Sequence, residues 1–180
     1  MLLADSPRAG RDGKVGVLDA AGLRAWIDDQ LPRSLANGRS VAALYLDLDS
    51  FHLVNERHGL AVGDRVVSRW TELLAASLGP DDRIARVGGN ELLIVLDRER
   101  APDLEALLCA MRRDVRRGIA LPDLVVEFSA GILHVERALE VGALLTEGAV
   151  RMARGRLAWR TTVDARPAPP RTAERAAALQ

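Results

Sequence analysis

The stretch "VAALYLDLD", residues 41–49, constrains this chain more than any other. It is apolar almost without interruption and ends in two aspartates, which is how a buried strand reads. Such a strand needs neighbours, and "DRIARVGGNELLIVLD" (82–97) supplies two further apolar runs joined at Gly88-Gly89, the pattern of a hairpin. Helical spacing appears between and around them. "AAGLRAWIDDQLPRSLA" places Leu23, Trp26, Ile27 and Leu31 on one stripe. "SFHLVNERHG" reads as a short helix closed by Gly59. "GDRVVSRWTELLAASLG" is a longer helix with Val66, Val67, Trp70, Leu73 and Leu74 inward and Gly79-Pro80 as its stop. "PDLEALLCAMRRDVRRG" is again helical, with its arginines on a mostly solvated face. "DLVVEFSAGILHV" reads as a strand pair or one long strand broken near Gly131. "ALEVGALLTEGAVRMARGRL" is a last helix, and "AWRTTV" a final edge strand. The order is a helix followed by β-α-α-β-β-α-β-α-β. It contains a βαββαβ core and predicts an α+β fold, a mainly antiparallel sheet flanked by helices.

The ends differ in composition. Residues 1–14 are polar and glycine-containing and are expected to be loose; residues 165–180, rich in proline and alanine, are expected to form a flexible tail. The ordered domain is expected over residues 15–164. The N-terminus has no basic n-region and no long apolar core, so neither a signal peptide nor a transmembrane helix is expected, and the protein is expected to be cytoplasmic. Twenty-five basic residues balance 25 acidic ones and aromatics make up 3%, which argues against a nucleic-acid surface. Cys109 is the single cysteine, so no internal disulfide forms, and its place on a helix predicts a buried thiol. His52, His58 and His134 match no zinc spacing.

Residues two apart on a strand share a face, so Asp47 and Asp49 point the same way at the end of their strand. The turn at Gly88-Gly89 can bring Asn90 or Glu91 beside Asp47. Carboxylates converging from two strands make a hard-oxygen site for Mg²⁺ and phosphate. Glycines there permit positive φ and the close approach of a nucleotide. A plainer reading stands beside this one: Asp49 caps the helix that starts at Ser50, and the glycines only turn a hairpin.

The residues then combine into a pattern. "DLDSFHLVNERHGLAVGD", followed by "RVGGNEL", closely resembles the GGDEF domain family, the diguanylate cyclases. Asp47, Asp49, Phe51, Asn55, Gly59, Gly63, Asp64, Ala85, Arg86, Gly88, Gly89 and Glu91 match its motifs in register. "FSAGI" (128–132) and "GAVRMARGR" (148–156) are similar to its later segments, so the resemblance covers about residues 17–163. It implies a palm-like antiparallel sheet of βαββαβ topology. It also implies a reaction in which two domains face each other, each holding GTP and Mg²⁺, and join two GTP into cyclic di-GMP. By the same resemblance the metal would be held by Asp47 and the Leu48 carbonyl. Nucleotide would be held by Phe51, His52, Asn55, Asp64 and Arg154, with Asn55 and Asp64 on the guanine edge. Phosphates would lie along the backbone of residues 50–52, where a helix N-terminus offers N–H groups.

The signature turn Gly88-Gly89-Asn90-Glu91 departs from the family where the chemistry is most demanding. Asn90 stands where active members carry Asp or Glu, and an amide brings no charge and takes no proton. Loss of a general base lowers a rate by ~10²–10⁴. His52 replaces a lysine, Leu60 a histidine, and Arg154 a second lysine with altered geometry. The following arginine position reads Ala158, with Arg156 or Arg160 nearby. Asp82 survives from the product-inhibition motif R-x-x-D, but Gly79 replaces its arginine. About 16 residues precede the opening segment "GVLDAAGLRAW", so neither a sensor nor a dimerising coiled coil is expected ahead of it.

These features lead to a degenerate, catalytically silent GGDEF domain in bacterial cyclic di-GMP signalling. It would act by binding GTP or another guanine nucleotide, a partner protein, or both, with Mg²⁺ held weakly at best. The alternatives are a slow diguanylate cyclase using Asp47 and Glu91, and a pure interaction module using the arginines at 112, 113, 116 and 117. Monomer and weak homodimer both remain open.

Overall fold

The computed structural model describes residues 17–99, 102–137 and 139–164, with the side chains of its last helix described through residue 154. The expected N-terminal segment (1–14), the expected tail (165–180) and the side chains at 156, 158 and 160 lie outside the described residues. The elements run β1 (Val17–Leu18), α1 (Ala20–Ala36), β2 (Ser40–Leu48), α2 (Phe51–His58), α3 (Leu60–Ala75), β3 (Arg83–Arg86), β4 (Glu91–Arg98), α4 (Leu104–Gly118), β5 (Phe128–Val135) and α5 (Val141–Asp164). The sheet order is β1-β3-β4-β2-β5, antiparallel except for the β1–β3 pair. The expected α+β class and the βαββαβ core are both present.

The apolar run at 41–49 is legible in this order. β2 has β4 on one side and β5 on the other, and each face of the sheet is covered by helices. Ala42, Leu44, Leu46 and Leu48 pack with α2, α3 and α4, through Val54, Trp70 and Met111 among others. Val41, Ala43 and Tyr45 face the other way, toward Leu23, Ile27 and Leu31 of α1 and Leu144 and Met152 of α5. A strand covered on both faces has no reason to alternate polar and apolar residues. Local signals agree: Asp19 caps α1 by accepting from the Gly22 N–H at 2.7 Å, and Asp103 caps α4 through the Ala106 N–H at 3.0 Å.

Three expectations are corrected. The edge strand at "AWRTTV" is absent, because α5 continues through these residues to Asp164. β5 runs unbroken through Gly131, and residues 124–127 ahead of it lie outside the strand. The edge strand that does exist, β1, is only two residues long and carries no periodicity to read. Cys109 is exposed: the buried stripe of α4 is Leu104, Leu108, Met111 and Val115, and the residue after Leu108 turns about 100° away from it.

Gly131 owes its identity to packing. A Cβ there would lie 2.2 Å from the Gly148 carbonyl oxygen and 2.5 Å from the Met152 nitrogen, both helix backbone in α5. Gly148 in turn lies against Tyr45, where a Cβ would come within 2.7 Å of its Cβ. Gly131→Ala is therefore expected to push α5 off the sheet and lower stability by about 1–3 kcal/mol, read by chemical denaturation. No helix among the described residues is long and apolar enough to cross a membrane.

Candidate nucleotide site at the end of the central strands

The chain leaves β2 through a conformation rare for a residue with a side chain. Ser50 has φ 54° and ψ 30°, the left-handed region, and α2 begins at the next residue with no side-chain cap from Ser50. That bend opens a cleft of about 660 Å³ at the C-terminal end of β2, within the usual size of a small-molecule site. Its walls include Asp47, Leu48, Phe51, His52, Asn55 and Asn90, so six of the residues singled out in the sequence meet in one place. Asp64 and Arg154 are exposed on α3 and α5 and are not among the lining residues. A larger cleft of about 750 Å³, bordered by Val17, Thr71 and Arg86, lies against α3 and includes none of that group.

The signature turn is positioned by the backbone. Leu48 N–H donates to the Asn90 carbonyl at 3.1 Å, continuing the β2–β4 register in which Asp47 pairs with Glu91. Val87 and Gly88 N–H groups donate back to the Glu91 carbonyl at 3.1 and 3.3 Å. Arg86 staples the turn from outside, its Nε donating to Gly88 O at 3.1 Å and its guanidinium to Gly89 O at 2.6 Å. The sequence matched Arg86 to a motif; its physical task becomes visible only here.

The glycines act differently from expectation. Among the described glycines only Gly38 and Gly59 have positive φ, so Gly88 and Gly89 are not required by backbone conformation. Gly88 gives room to a side chain instead, since a Cβ there would fall 2.1 Å from the Glu91 carboxylate and make it move. Gly63 is a similar case: Asn55 Oδ1 lies 1.9 Å from the position of its missing Cβ, and Phe51 Cζ 3.1 Å from it. The bare backbone of α3 is what lets the Asn55 amide lie at the cleft.

Asn90 and Glu91 have different surroundings. The Asn90 amide donates to Asp47 Oδ1 and, at 3.3 Å, to the Leu48 carbonyl. Glu91 turns toward Gly88 and Tyr45. Tyr45 titrates above its ordinary value, first because it is buried, then because it hydrogen-bonds to Glu91 and feels the charges of Glu91 and Asp47. Glu91 is thus a neighbour of the site and not a stand-in for the missing carboxylate. Two lining residues were not singled out as site residues, Ser129 and Glu127. Ser129 Oγ donates to Asp49 at 2.7 Å, and Glu127 pairs with Arg116. Pairing of β5 with β2 sets Ser129 opposite Asp47, a relation that spans about 80 residues of chain.

At the far end of α2, Arg57 Nη1 reaches Asp123 at 3.0 Å and His58 Nε2 lies 2.8 Å from the same carboxylate. The Arg57 hydrogen bond above all holds Asp123 below its ordinary pKa; burial opposes it, and the neighbouring His58 adds a lesser lowering effect.

Mg²⁺ was an expectation of the resemblance. The two oxygens assigned to it, from Asp47 and Leu48, both accept from the Asn90 amide, and among the described residues no three His, Cys, Asp or Glu side chains converge on a metal. The arrangement does not fit a divalent ion.

The family model for "Diguanylate cyclase, GGDEF domain" matches residues 11–154. The chain belongs to the GGDEF family. Similar curated proteins include a cyclic di-GMP phosphodiesterase, PdeB, of Shewanella oneidensis, 38% identical over 51% of this chain and 10% of its own length. The probable diguanylate cyclase DgcT of Escherichia coli is 40% identical over 41% of this chain and 16% of its own. The chain spans 10% of the length of PdeB and 33% of that of the probable diguanylate cyclase DgcC of Escherichia coli. Among solved structures, the diguanylate cyclase SiaD of Pseudomonas aeruginosa, in complex with its activator SiaC, superposes with a TM-score of 0.70. It is 24% identical, over 80% of this chain and 56% of that one. A sensory box/GGDEF family protein of Caulobacter crescentus gives 0.70 at 22% identity, over 80% of this chain and 96% of that one. At these identities the structural likeness speaks for the GGDEF fold alone.

Proposed function

We propose that this GGDEF domain is catalytically silent and acts in cyclic di-GMP-related signalling by binding a guanine nucleotide. The observation that carries the reading is Asn90, an amide where a cyclase needs a carboxylate. An amide takes no proton from an attacking hydroxyl, and that loss alone lowers a rate by ~10²–10⁴. Supporting the binding half, Asn55 lines the cleft with an amide able to both donate to and accept from a guanine edge, and Gly63 leaves room for it. Asp64 follows Gly63 on the same helix and is exposed.

Concentrated protein incubated for hours with GTP and Mg²⁺ or Mn²⁺ is expected to form no cyclic di-GMP above the blank. Calorimetry with GTP and GDP is expected to show binding that weakens at least about tenfold in Asp64→Ala, the loss of one charged hydrogen-bonding partner. Sustained product formation would establish the second reading, a slow cyclase. What speaks for that reading is the retention of Asp47 and Glu91 as register partners. Absence of any nucleotide heat would leave a protein partner as the ligand, as SiaC is for SiaD.

A further inference from the structure

We propose that Asn90 takes the place of the divalent cation: its amide N–H group, not a metal, joins Asp47 to the Leu48 carbonyl, and a guanine nucleotide in this cleft is bound without metal. The second half rests on the nucleotide-binding reading above; the first stands on geometry alone.

An aspartate at position 90 would face the Asp47 carboxylate at hydrogen-bond range, and two such charges need a cation between them or must share a proton. An asparagine needs neither. Its Nδ2 carries two N–H bonds, and the structure aims this nitrogen at two acceptors, Asp47 Oδ1 and, at 3.3 Å, Leu48 O. These are the oxygens of a hard-cation site, one carboxylate and one carbonyl. An acceptor lone pair given to an N–H is not available to Mg²⁺ in the same arrangement. Turning the amide over, to offer Oδ1 to a metal, would point its oxygen at the Asp47 carboxylate and break both bonds.

The position is also fixed. Leu48 N–H donates to the Asn90 carbonyl, and Arg86 holds the preceding glycines, so the backbone at 90 is tied to β2 on one side and to its own hairpin on the other. The substitution therefore does two things. It removes a ligand, and it installs a donor on the oxygens left behind.

Those two effects make different predictions for Asn90→Ala. If the amide only fails to ligate, alanine behaves toward metal as asparagine does. If the amide blocks the site, its removal takes one donor off Asp47 Oδ1 and Leu48 O, and affinity for a cation rises although no ligand has been added. Mn²⁺ titrated against the protein alone, followed by the electron paramagnetic resonance of free Mn²⁺ and by the melting temperature, separates them.

The wild type is expected to bind no Mn²⁺ at millimolar concentration and to melt at the same temperature with or without it. Asn90→Ala is expected to melt lower without metal and to be raised by Mn²⁺. Asn90→Asp is expected to bind Mn²⁺ at least tenfold more tightly than the wild type. Wild-type binding equal to that of Asn90→Asp overturns the proposal, and so does an alanine variant no better than wild type. If Asn90→Ala does not fold, the comparison of wild type with Asn90→Asp still decides whether the site takes a cation. A second arm measures GDP affinity in EDTA and in Mg²⁺. Equal affinities support metal-free binding; a tenfold or greater gain with Mg²⁺ refutes it. No binding under either condition refutes the nucleotide reading, and the Mn²⁺ arm still decides the role of the amide.

Discussion

Asp82→Ala is expected to lower the stability of this domain by about 3 kcal/mol, the low end for breaking a buried ion pair by removing one partner. Asp82 is 1% exposed and accepts four hydrogen bonds. They come from Gly79 N–H at 2.7 Å, Asp97 N–H at 3.1 Å, and Arg98 through Nε at 3.3 Å and its terminal nitrogen at 2.6 Å. Alanine leaves the buried Asp97 N–H, the part-buried Gly79 N–H and a guanidinium without that acceptor. Arg98 is one-third exposed, so water recovers part of the loss, which is why the low end applies. For a domain of this size the change corresponds to roughly 6–12 °C in melting temperature. Adding Arg98→Met to Asp82→Ala is expected to recover part of it, since no stranded charge then remains. A destabilisation under about 1 kcal/mol would show the network to be dispensable. The functional meaning is direct. In the sequence Asp82 stood as the survivor of a ligand-binding R-x-x-D motif; in the structure its carboxylate faces inward and accepts from the backbone of Gly79, the residue that replaced the arginine.

Trp70→Ala is expected to cost about 3–5 kcal/mol, and Trp70→Phe less than about 1 kcal/mol. Trp70 is fully buried in α3, with its ring 5.9 Å from that of Phe128 and tilted 45° to it. Arg112 covers the other ring at 5.3 Å from its centroid. Alanine would leave a cavity beneath the start of β5. Phenylalanine keeps most of the volume and removes a buried indole N–H that has no hydrogen-bond partner among the described residues. Relief of that unpaired group offsets lost contact area. Phe128 precedes Ser129 and follows Glu127, both at the cleft, so Trp70→Ala is also expected to weaken nucleotide binding. Equal denaturation midpoints for the two variants would refute the packing argument.

Much of the fold was legible in the chain because its signals are local. The apolar run of β2, the stripe of Leu23, Trp26, Ile27 and Leu31, and the closure of α2 at Gly59 each depend on residues a few positions apart. Failures came where the deciding contact is distant or the element too short. β1 has two residues, and Gly131 reads as a strand break until α5 is seen to fill the space of its missing side chain. Cys109 reads as core until the stripe of α4 is phased one residue away.

The candidate site divides in the same way. Residue chemistry alone determined the family motif, the loss of a carboxylate at Asn90 and the retention of Asp47 and Asn55, because identity is a property of the chain. Where those groups point depends on two strands paired across more than 40 residues, and only the tertiary structure decided that. The sequence shows an amide at position 90 where the resemblance calls for a carboxylate. The fold decides where that amide lies, because the β2–β4 register holds it against Asp47 and the Leu48 carbonyl.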